Sequence, residues 1–287
     1  MTSPPALLPL MLRGAVLSPF KRPGAVVGRA PQETARIAGL RVRPAHLTAY
    51  ERVCAYPTGR AELPVTYPHV LGFPLAMGLM STRAFPLPLL GLVHTSIEIT
   101  QQRDLSPAAD YELTVAIPEL RPHHRGTEAV VVTALRPTDD PGETPVWEST
   151  STYLARHTTR TPAPDPAREQ LAPPLPDVAE WRLGADLGRR YGAASGDRNP
   201  IHLHPLTARA FGFPRAIAHG MWTVARCLAE FGASGPVHVA ARFRAPVLLP
   251  GTVTYAALGP SFALRSARGE RLHLTGEVTA LSSAARP

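Results

Sequence analysis

A chain of 287 residues, 44% of them hydrophobic and with a mean hydropathy of −0.04, is long enough for two domains of ordinary size, each with a core of its own. The formal charge of +8 rests on 30 basic residues, but Lys21 is the single lysine and the arginines are scattered along the chain. The basic run or basic helix of a nucleic-acid binder is absent, so no nucleic-acid partner is expected, and a diffuse positive field suits an anionic small substrate.

In chain order, the first stretch, Pro4 to Val16, is apolar but interrupted by Pro5, Pro9 and Arg13 and has no basic segment ahead of it, unlike a secretory signal. No run reaches the ~18 apolar residues of a membrane helix. The two cysteines, Cys54 and Cys227, stand in no C-x-x-C or zinc spacing, and Cys227 reads as a buried free thiol. Together these predict a cytoplasmic protein with no membrane partner.

The chain is written twice. Gly91-Leu92-Val93-His94 returns as Gly235-Pro236-Val237-His238, a shift of 144, and the same shift pairs Met77 with Met221 and Tyr111 with Tyr255. A period this long signals duplicated domains, not a solenoid. The first unit, residues 1–156, ends after a strand-like stretch from Val146 to Leu154. A Thr-, Pro- and Ala-rich linker covers residues 157–177, and the second unit covers residues 178–287.

In the second unit a helical run from His219 to Phe231 stops at Gly232. Its apolar residues surround it, with only Arg226 and Glu230 charged, as in a helix wrapped by other structure. Strands follow over Val237–Pro246, Gly251–Leu258 and Arg271–Leu281. The predicted class is α+β: in each unit an antiparallel sheet around one central helix, the two sheets joined edge to edge.

The densest signal runs from Tyr191 through Ser195-Gly196-Asp197-Arg198-Asn199-Pro200-Ile201-His202 to His219-Gly220-Met221. Pro200 biases Asn199 away from helix, so a turn brings Asp197 and His202 together. Pro205 suits the first turn of a short helix that stops at Gly212. An Asp and a His on one constrained loop can activate a water, and the N–H of Gly220, at the positive end of a helix, can donate to a developing oxyanion.

Each residue has a plainer reading. Asp and His five apart are often loop caps, Gly220 can serve close packing, and His219 can orient the loop or cap the helix. Ser195 is a turn former, since no G-x-S-x-G elbow surrounds it. His202 and His204 form an H-x-H pair that with Asp197 would make a metal site, against which stand Pro205 and the lack of further ligands, so no metal is expected. Arg242 and Arg244 alternate along a strand and point one way, toward carrier phosphates or toward solvent. His123-His124 reads as an exposed turn.

The stretch from Tyr191 to Ala225 resembles the hydratase motif of MaoC-like, (R)-specific enoyl-CoA hydratases, which have the hotdog fold. Val239-x-x-Arg242-Phe243-Arg244-x-Pro246-Val247 and Pro250-Gly251-Thr252 resemble that family's strands. The whole arrangement resembles the double-hotdog 3-hydroxyacyl-thioester dehydratases of actinobacteria and eukaryotes. Leu63-Pro64-x-Thr66-Tyr67-Pro68-His69 and Phe85-Pro86-x-Pro88 through His94 look like that group's N-terminal half.

The resemblance implies that Asp197 and His202 are the catalytic pair, that the Gly220 amide holds the thioester carbonyl, and that Asn199 stiffens the loop, with His219 beside the substrate. The implied reaction is reversible syn hydration of a trans-2-enoyl thioester to the (R)-3-hydroxyacyl form, on CoA or an acyl carrier protein. It needs no cofactor, and a monomeric pseudo-dimer or a homodimer would carry it. A non-catalytic acyl-thioester binding protein and a hotdog thioesterase are the alternatives.

The N-terminal copy departs from the pattern. A shift of 144 puts Leu75-Ala76 where His219-Gly220 stand, and the loop matching Asp197–His202 falls among Val53–Ala61, which holds no Asp and no His. Pro74 and Pro86 are expected to shorten that unit's helix. The degenerate half is expected to complete the pseudo-dimer and to make room for a longer acyl chain along Phe73 to Leu90.

Overall fold

Alternation is clearest in one long strand. In β3 (Asp110–His123) Tyr111, Leu113, Val115 and Ile117 are buried at every second position, as a strand with one face on the core requires. The computed structural model describes residues 7–18, 21, 30, 33–139, 142, 144–163 and 174–282. Among the described residues ten strands form a single sheet: β1 (Thr34–Arg41), β2 (Val93–Gln101), β3, β4 (Gly126–Pro137), β5 (Trp147–Arg156), β6 (Asp177–Leu183), β7 (Val237–Phe243), β8 (Gly251–Leu258), β9 (Ser261–Ser266) and β10 (Leu272–Ala280).

Their order is β1-β3-β4-β5-β2-β7-β10-β9-β8-β6, with each neighbouring pair antiparallel. In each half the first strand lies on the outer edge and the second lies at the middle. The seam is β2 on β7, with Ile97 opposite Ala241 and Ile99 opposite Val239. The best-matching repeat words, Gly91–His94 and Gly235–His238, therefore lead into the two strands that join the halves, so neither unit leaves that edge bare.

Two helices fill the hollow of the sheet, α3 (Tyr67–Met80) and α7 (Gly220–Phe231). α7 buries Met221, Trp222, Val224, Ala225, Cys227 and Leu228 and ends at Gly232, whose φ of 78° closes a left-handed cap. Its charged positions pair with each other, Arg226 to Glu230 at 2.9 Å, and the Arg226 guanidinium lies 4.0 Å over the Trp181 ring.

α3 corrects two expectations. It begins at Tyr67, well before the position a shift of 144 from Gly220 would give, so Leu75-Ala76 and Met77 are not the counterparts of His219-Gly220 and Met221; Thr66, Tyr67 and Pro68 are. The strands keep the repeat because their pairing fixes register, whereas the loop after α3 is long and absorbs the offset. Nor is the helix shortened. Pro74 lies inside its 14 residues, against 12 in α7, removing one N–H without ending it. Pro86 lies beyond the helix.

Two further helices meet between the halves. α2 (Pro44–Cys54) and α4 (Leu187–Ser195) each follow the edge strand of their unit and pack against one another, with Tyr50 and Tyr191 6.1 Å apart. Both end in left-handed caps, at Ala55 (φ 61°) and Gly196 (φ 80°). The buried Trp222 indole donates to the Val53 carbonyl at 2.8 Å, tying α7 to the other half.

The N-terminal stretch forms α1 (Leu7–Leu17), with Pro9 in its first turn, where the missing N–H costs no bond. Residues 157–163 and 174–176 are neither helix nor strand, and residues 164–173 of the expected linker lie outside the described residues. β9 was not foreseen; Ser261–Ser266 is short and follows β8 after a tight turn at Gly259. No helix among the described residues is long and apolar enough to cross a membrane.

Candidate active site

Two glycines set the loop in place. Gly188 and Gly192, four apart on α4, share one helix face. A Cβ on Gly188 would sit 1.9 Å from the His202 carbonyl oxygen, and one on Gly192 2.8 Å from the Asp197 carbonyl oxygen. The segment from Asp197 to His202 therefore lies on the bare backbone of α4. The sequence reading passed over these glycines, although a pair spaced i, i+4 in a helix is a recognisable mark of close backbone approach.

From α4 outward, each side chain holds the N–H two residues on. Ser195 Oγ accepts from the Asp197 N–H at 3.2 Å, Asp197 Oδ1 from the Asn199 N–H at 3.1 Å, and Asn199 Oδ1 from the Ile201 N–H at 3.4 Å. This succession of turns is what Ser, Asp and Asn favour outside helices. It delivers the chain to α5 (Pro200–Leu203), opened by Pro200 and carrying His202. Asn199 thus acts on the loop, as the cap of α5.

His204 turns away. It is exposed and caps α6 (Pro205–Ala210), its Nδ1 accepting from the Leu206 N–H at 3.2 Å. The H-x-H pair does not converge.

His202 and His219 are both buried, and Asp197 keeps 25% of its side chain exposed. His202 Nδ1 donates to the Ile217 carbonyl at 2.8 Å, which fixes the tautomer and leaves a lone pair on Nε2. His219 Nε2 donates to the Asp197 backbone carbonyl at 2.9 Å and lies 3.9 Å from Asp197 Oδ2. The two imidazoles stack at 3.7 Å, 25° apart, and Tyr191 closes on His219 at 4.8 Å. His219 therefore clamps the loop to the start of α7 and supports the His202 ring.

Burial lowers the pKa of His202 against the raising effect of Asp197, and burial followed by the neighbouring His202 drives that of His219 well below the ordinary imidazole value. His69 and His94 are lowered in the same way, His69 to about 4. The unfolded chain binds protons at these sites below about pH 6.5 while the folded chain does not, so stability falls as pH drops below that value. The urea midpoint is expected to be flat above pH 7 and to decline from about pH 6.5 downward; a midpoint rising through that window contradicts these neutral assignments.

Gly220 opens α7 next to this cluster, with His219 as the cap residue. Its N–H lies among those that have no acceptor within the helix. A Cβ there would approach the Phe243 ring to 2.9 Å, so close packing asks for glycine. Arg242 and Arg244 are exposed.

One ligand atom from each of Asp197, His202 and His219 lies within 4.8 Å of the others. The stacked rings argue against a shared metal ion. Lone pairs lie in the ring planes, and planes this close and nearly parallel meet well beyond the ~2 Å of a zinc–nitrogen bond.

The N-terminal half also reaches this place. His94 on β2 stacks on Tyr153 of β5 at 4.4 Å, meets Phe243 at 4.7 Å, and lies 6.0 Å from His69 of α3. The charge of Asp197 bears on both His69 and Tyr153. His69 and His94 stand in the stretches that resemble the family's N-terminal half, but nothing local gives them or Tyr153 a place at this site, because its motif belongs to the other half. At the pseudo-equivalent site, loop 56–61 follows the Ala55 cap and offers Tyr56 and Arg60 to a cleft against the end of α7, with no Asp and no His.

Residues 175–258 match the family model of the MaoC-like domain. The chain is 36% identical over 260 residues to 3-hydroxyacyl-thioester dehydratase X of Mycobacterium tuberculosis, covering 88% of this chain and 90% of that protein. This chain belongs to the MaoC-like dehydratases. The crystal structure of HtdX from M. tuberculosis superposes with a TM-score of 0.74 at 34% identity, covering 87% of this chain and all of that one. A MaoC-like dehydratase from Phytophthora capsici gives 0.67 at 17% identity, covering 91% and 99%, which shows the shared fold alone. The double-hotdog architecture is thus that of a MaoC-like dehydratase, with the motif-bearing copy in the C-terminal half.

Proposed function

We propose that this MaoC-like dehydratase adds water reversibly and syn across a trans-2-enoyl thioester, giving the (R)-3-hydroxyacyl thioester, at one site built on Asp197 and His202. The observation that carries the reading is the convergence, on one glycine-seated loop, of a carboxylate and a neutral imidazole lone pair beside the amino end of a buried helix. The pair holds the water and removes one of its protons, its oxygen bonds to C3, and a proton is returned at C2. The Gly220 N–H stabilises the enolate oxygen formed between these events. His219 and Asn199 hold the loop in register.

The chemistry assigned here asks for no metal or redox cofactor. The carrier is CoA or an acyl carrier protein, met from a chain that is itself a pseudo-dimer, and buried free thiols at Cys54 and Cys227 fit a cytoplasmic setting. The HtdX relative is named for 3-hydroxyacyl thioesters.

The test follows the absorbance of crotonyl-CoA and of a longer enoyl-CoA together with free thiol. Loss of the conjugated absorbance without thiol release, giving the (R)-alcohol, is the expected result; thiol release would make the protein a thioesterase. Activity that vanishes on exhaustive chelation would overturn the metal-free reading. Because burial lowers the pKa of His202, the acid limb of kcat/KM is expected below pH 6.5. A midpoint above that value would remove His202 as the neutral base.

A further inference from the structure

The outer surface of the catalytic loop carries charge that the chemistry of the site does not use. From Leu187 to Ala216 the chain holds five arginines, Arg189, Arg190, Arg198, Arg209 and Arg215, all exposed, against one carboxylate, the catalytic Asp197. Arg190 is answered by Asp186 at 3.7 Å. Three others donate to backbone carbonyls, Arg189 to Leu203 at 3.2 Å, Arg209 to Pro214 at 3.3 Å and Arg215 to Pro250 at 3.1 Å. A carbonyl orients a guanidinium without neutralising it, so this surface stays positive.

Apolar side chains stand among the charges. Leu206 is 66% exposed and Phe211 41%. Leu206 and Arg209 are neighbours one turn apart on α6, and the Arg209 bond to Pro214 folds the segment bearing Phe211 back toward that helix. Apolar side chains with a charged rim are the make-up of a protein-binding surface.

The patch adjoins the part of the site that meets solvent. His202 and His219 are buried, whereas Asp197 keeps 25% of its side chain exposed, next in the chain to Arg198. α6 is fastened to the same loop, with Thr207 Oγ1 donating to the Pro200 carbonyl at 2.6 Å.

We propose that this arginine-rimmed face of α6 docks an acyl carrier protein of acidic surface, which presents its thioester at Asp197. The proposal rests on the hydratase reading and names its carrier. The phosphates of a CoA nucleotide call for guanidiniums gathered at one point. Here the guanidiniums are anchored apart, at Leu203, Pro214 and Pro250, and a nucleotide's phosphates leave Leu206 and Phe211 uncovered. A protein face with carboxylates around an apolar centre answers both features.

The experiment compares kcat/KM for trans-2-octenoyl chains on the acyl carrier protein of the same organism, on CoA and on pantetheine alone. The wild type is expected to favour the carrier protein by at least about tenfold over both, and the advantage is expected to shrink as salt rises from about 0.05 to about 0.5 M, because exposed charges are screened. In Arg209→Glu/Arg215→Glu the advantage disappears, while the pantetheine thioester keeps its rate within about twofold. Leu206→Ser, which leaves every charge in place, also lowers the rate on the carrier protein alone.

A wild type that takes CoA as well as the carrier protein overturns this proposal alone, as does a parallel loss on all three substrates in the folded variants. Binding to phosphatidylglycerol vesicles without any carrier preference makes the patch a lipid contact and also overturns it. A wild type that hydrates none of the three overturns the hydratase reading and this proposal with it. If the double variant does not fold, the wild-type preference, its salt dependence and Leu206→Ser decide the matter.

Discussion

Asp197→Asn and His202→Ala are each expected to lower kcat/KM for enoyl-thioester hydration by at least about 100-fold, the usual range for removing a positioned acid or base. Asn is nearly isosteric with Asp, and its Oδ1 still accepts from the Asn199 N–H, so the loop keeps its turn and the charge alone is lost. His202→Ala removes the Nε2 lone pair and also frees the Ile217 carbonyl and one face of the His219 ring. Its stability is therefore expected to fall by about 1–3 kcal/mol, which Asp197→Asn should not show. Steady-state rates paired with urea midpoints separate these contributions. Wild-type rates in both variants would move the chemistry elsewhere.

Gly188→Ala is expected to match those losses without touching an ionisable group. Its Cβ would stand 1.9 Å from the His202 carbonyl oxygen, which is backbone and cannot swing aside as a side-chain tip can. The loop must rise from α4, and a displacement of about 1 Å at a reacting group costs on the order of 100-fold in rate. Gly192→Ala meets the Asp197 carbonyl oxygen at 2.8 Å, a milder overlap that calls for a smaller loss. The diagnostic is the ranking, Gly188→Ala worse than Gly192→Ala in kcat, with Gly78→Ala of α3, where a Cβ meets nothing within 4 Å, close to wild type. Equal rates in all three would mean that the loop is not seated on α4.

What could be read from the sequence, and what could not, divides along physical lines. The strands β7, β8 and β10 fell within a few residues of their expected places because period-two alternation is a local signal. The bounds of α7 were legible because Gly232 stops it and His219 precedes it. The Asp197–His202 turn could be read because Pro200 and the Ser, Asp and Asn around it dictate turns. α3 was misplaced because a repeat carries register along strands and none through a loop, and its apolar surface holds no marker of where it starts. The convergence of His69, His94 and Tyr153 was not legible for a different reason. It forms only when β2 joins β7 and brings His94 of one half against Phe243 of the other, a contact that no local pattern encodes.

The most direct test of a shared carboxylate–imidazole device is the double variant Asp197→Asn/His202→Ala, assayed for crotonyl-CoA hydration beside the two single variants. Groups that act as a unit fail as a unit. The double variant is predicted to be no more than a few-fold slower than the poorer single one. Losses that multiply would show two independent contributions and contradict the account.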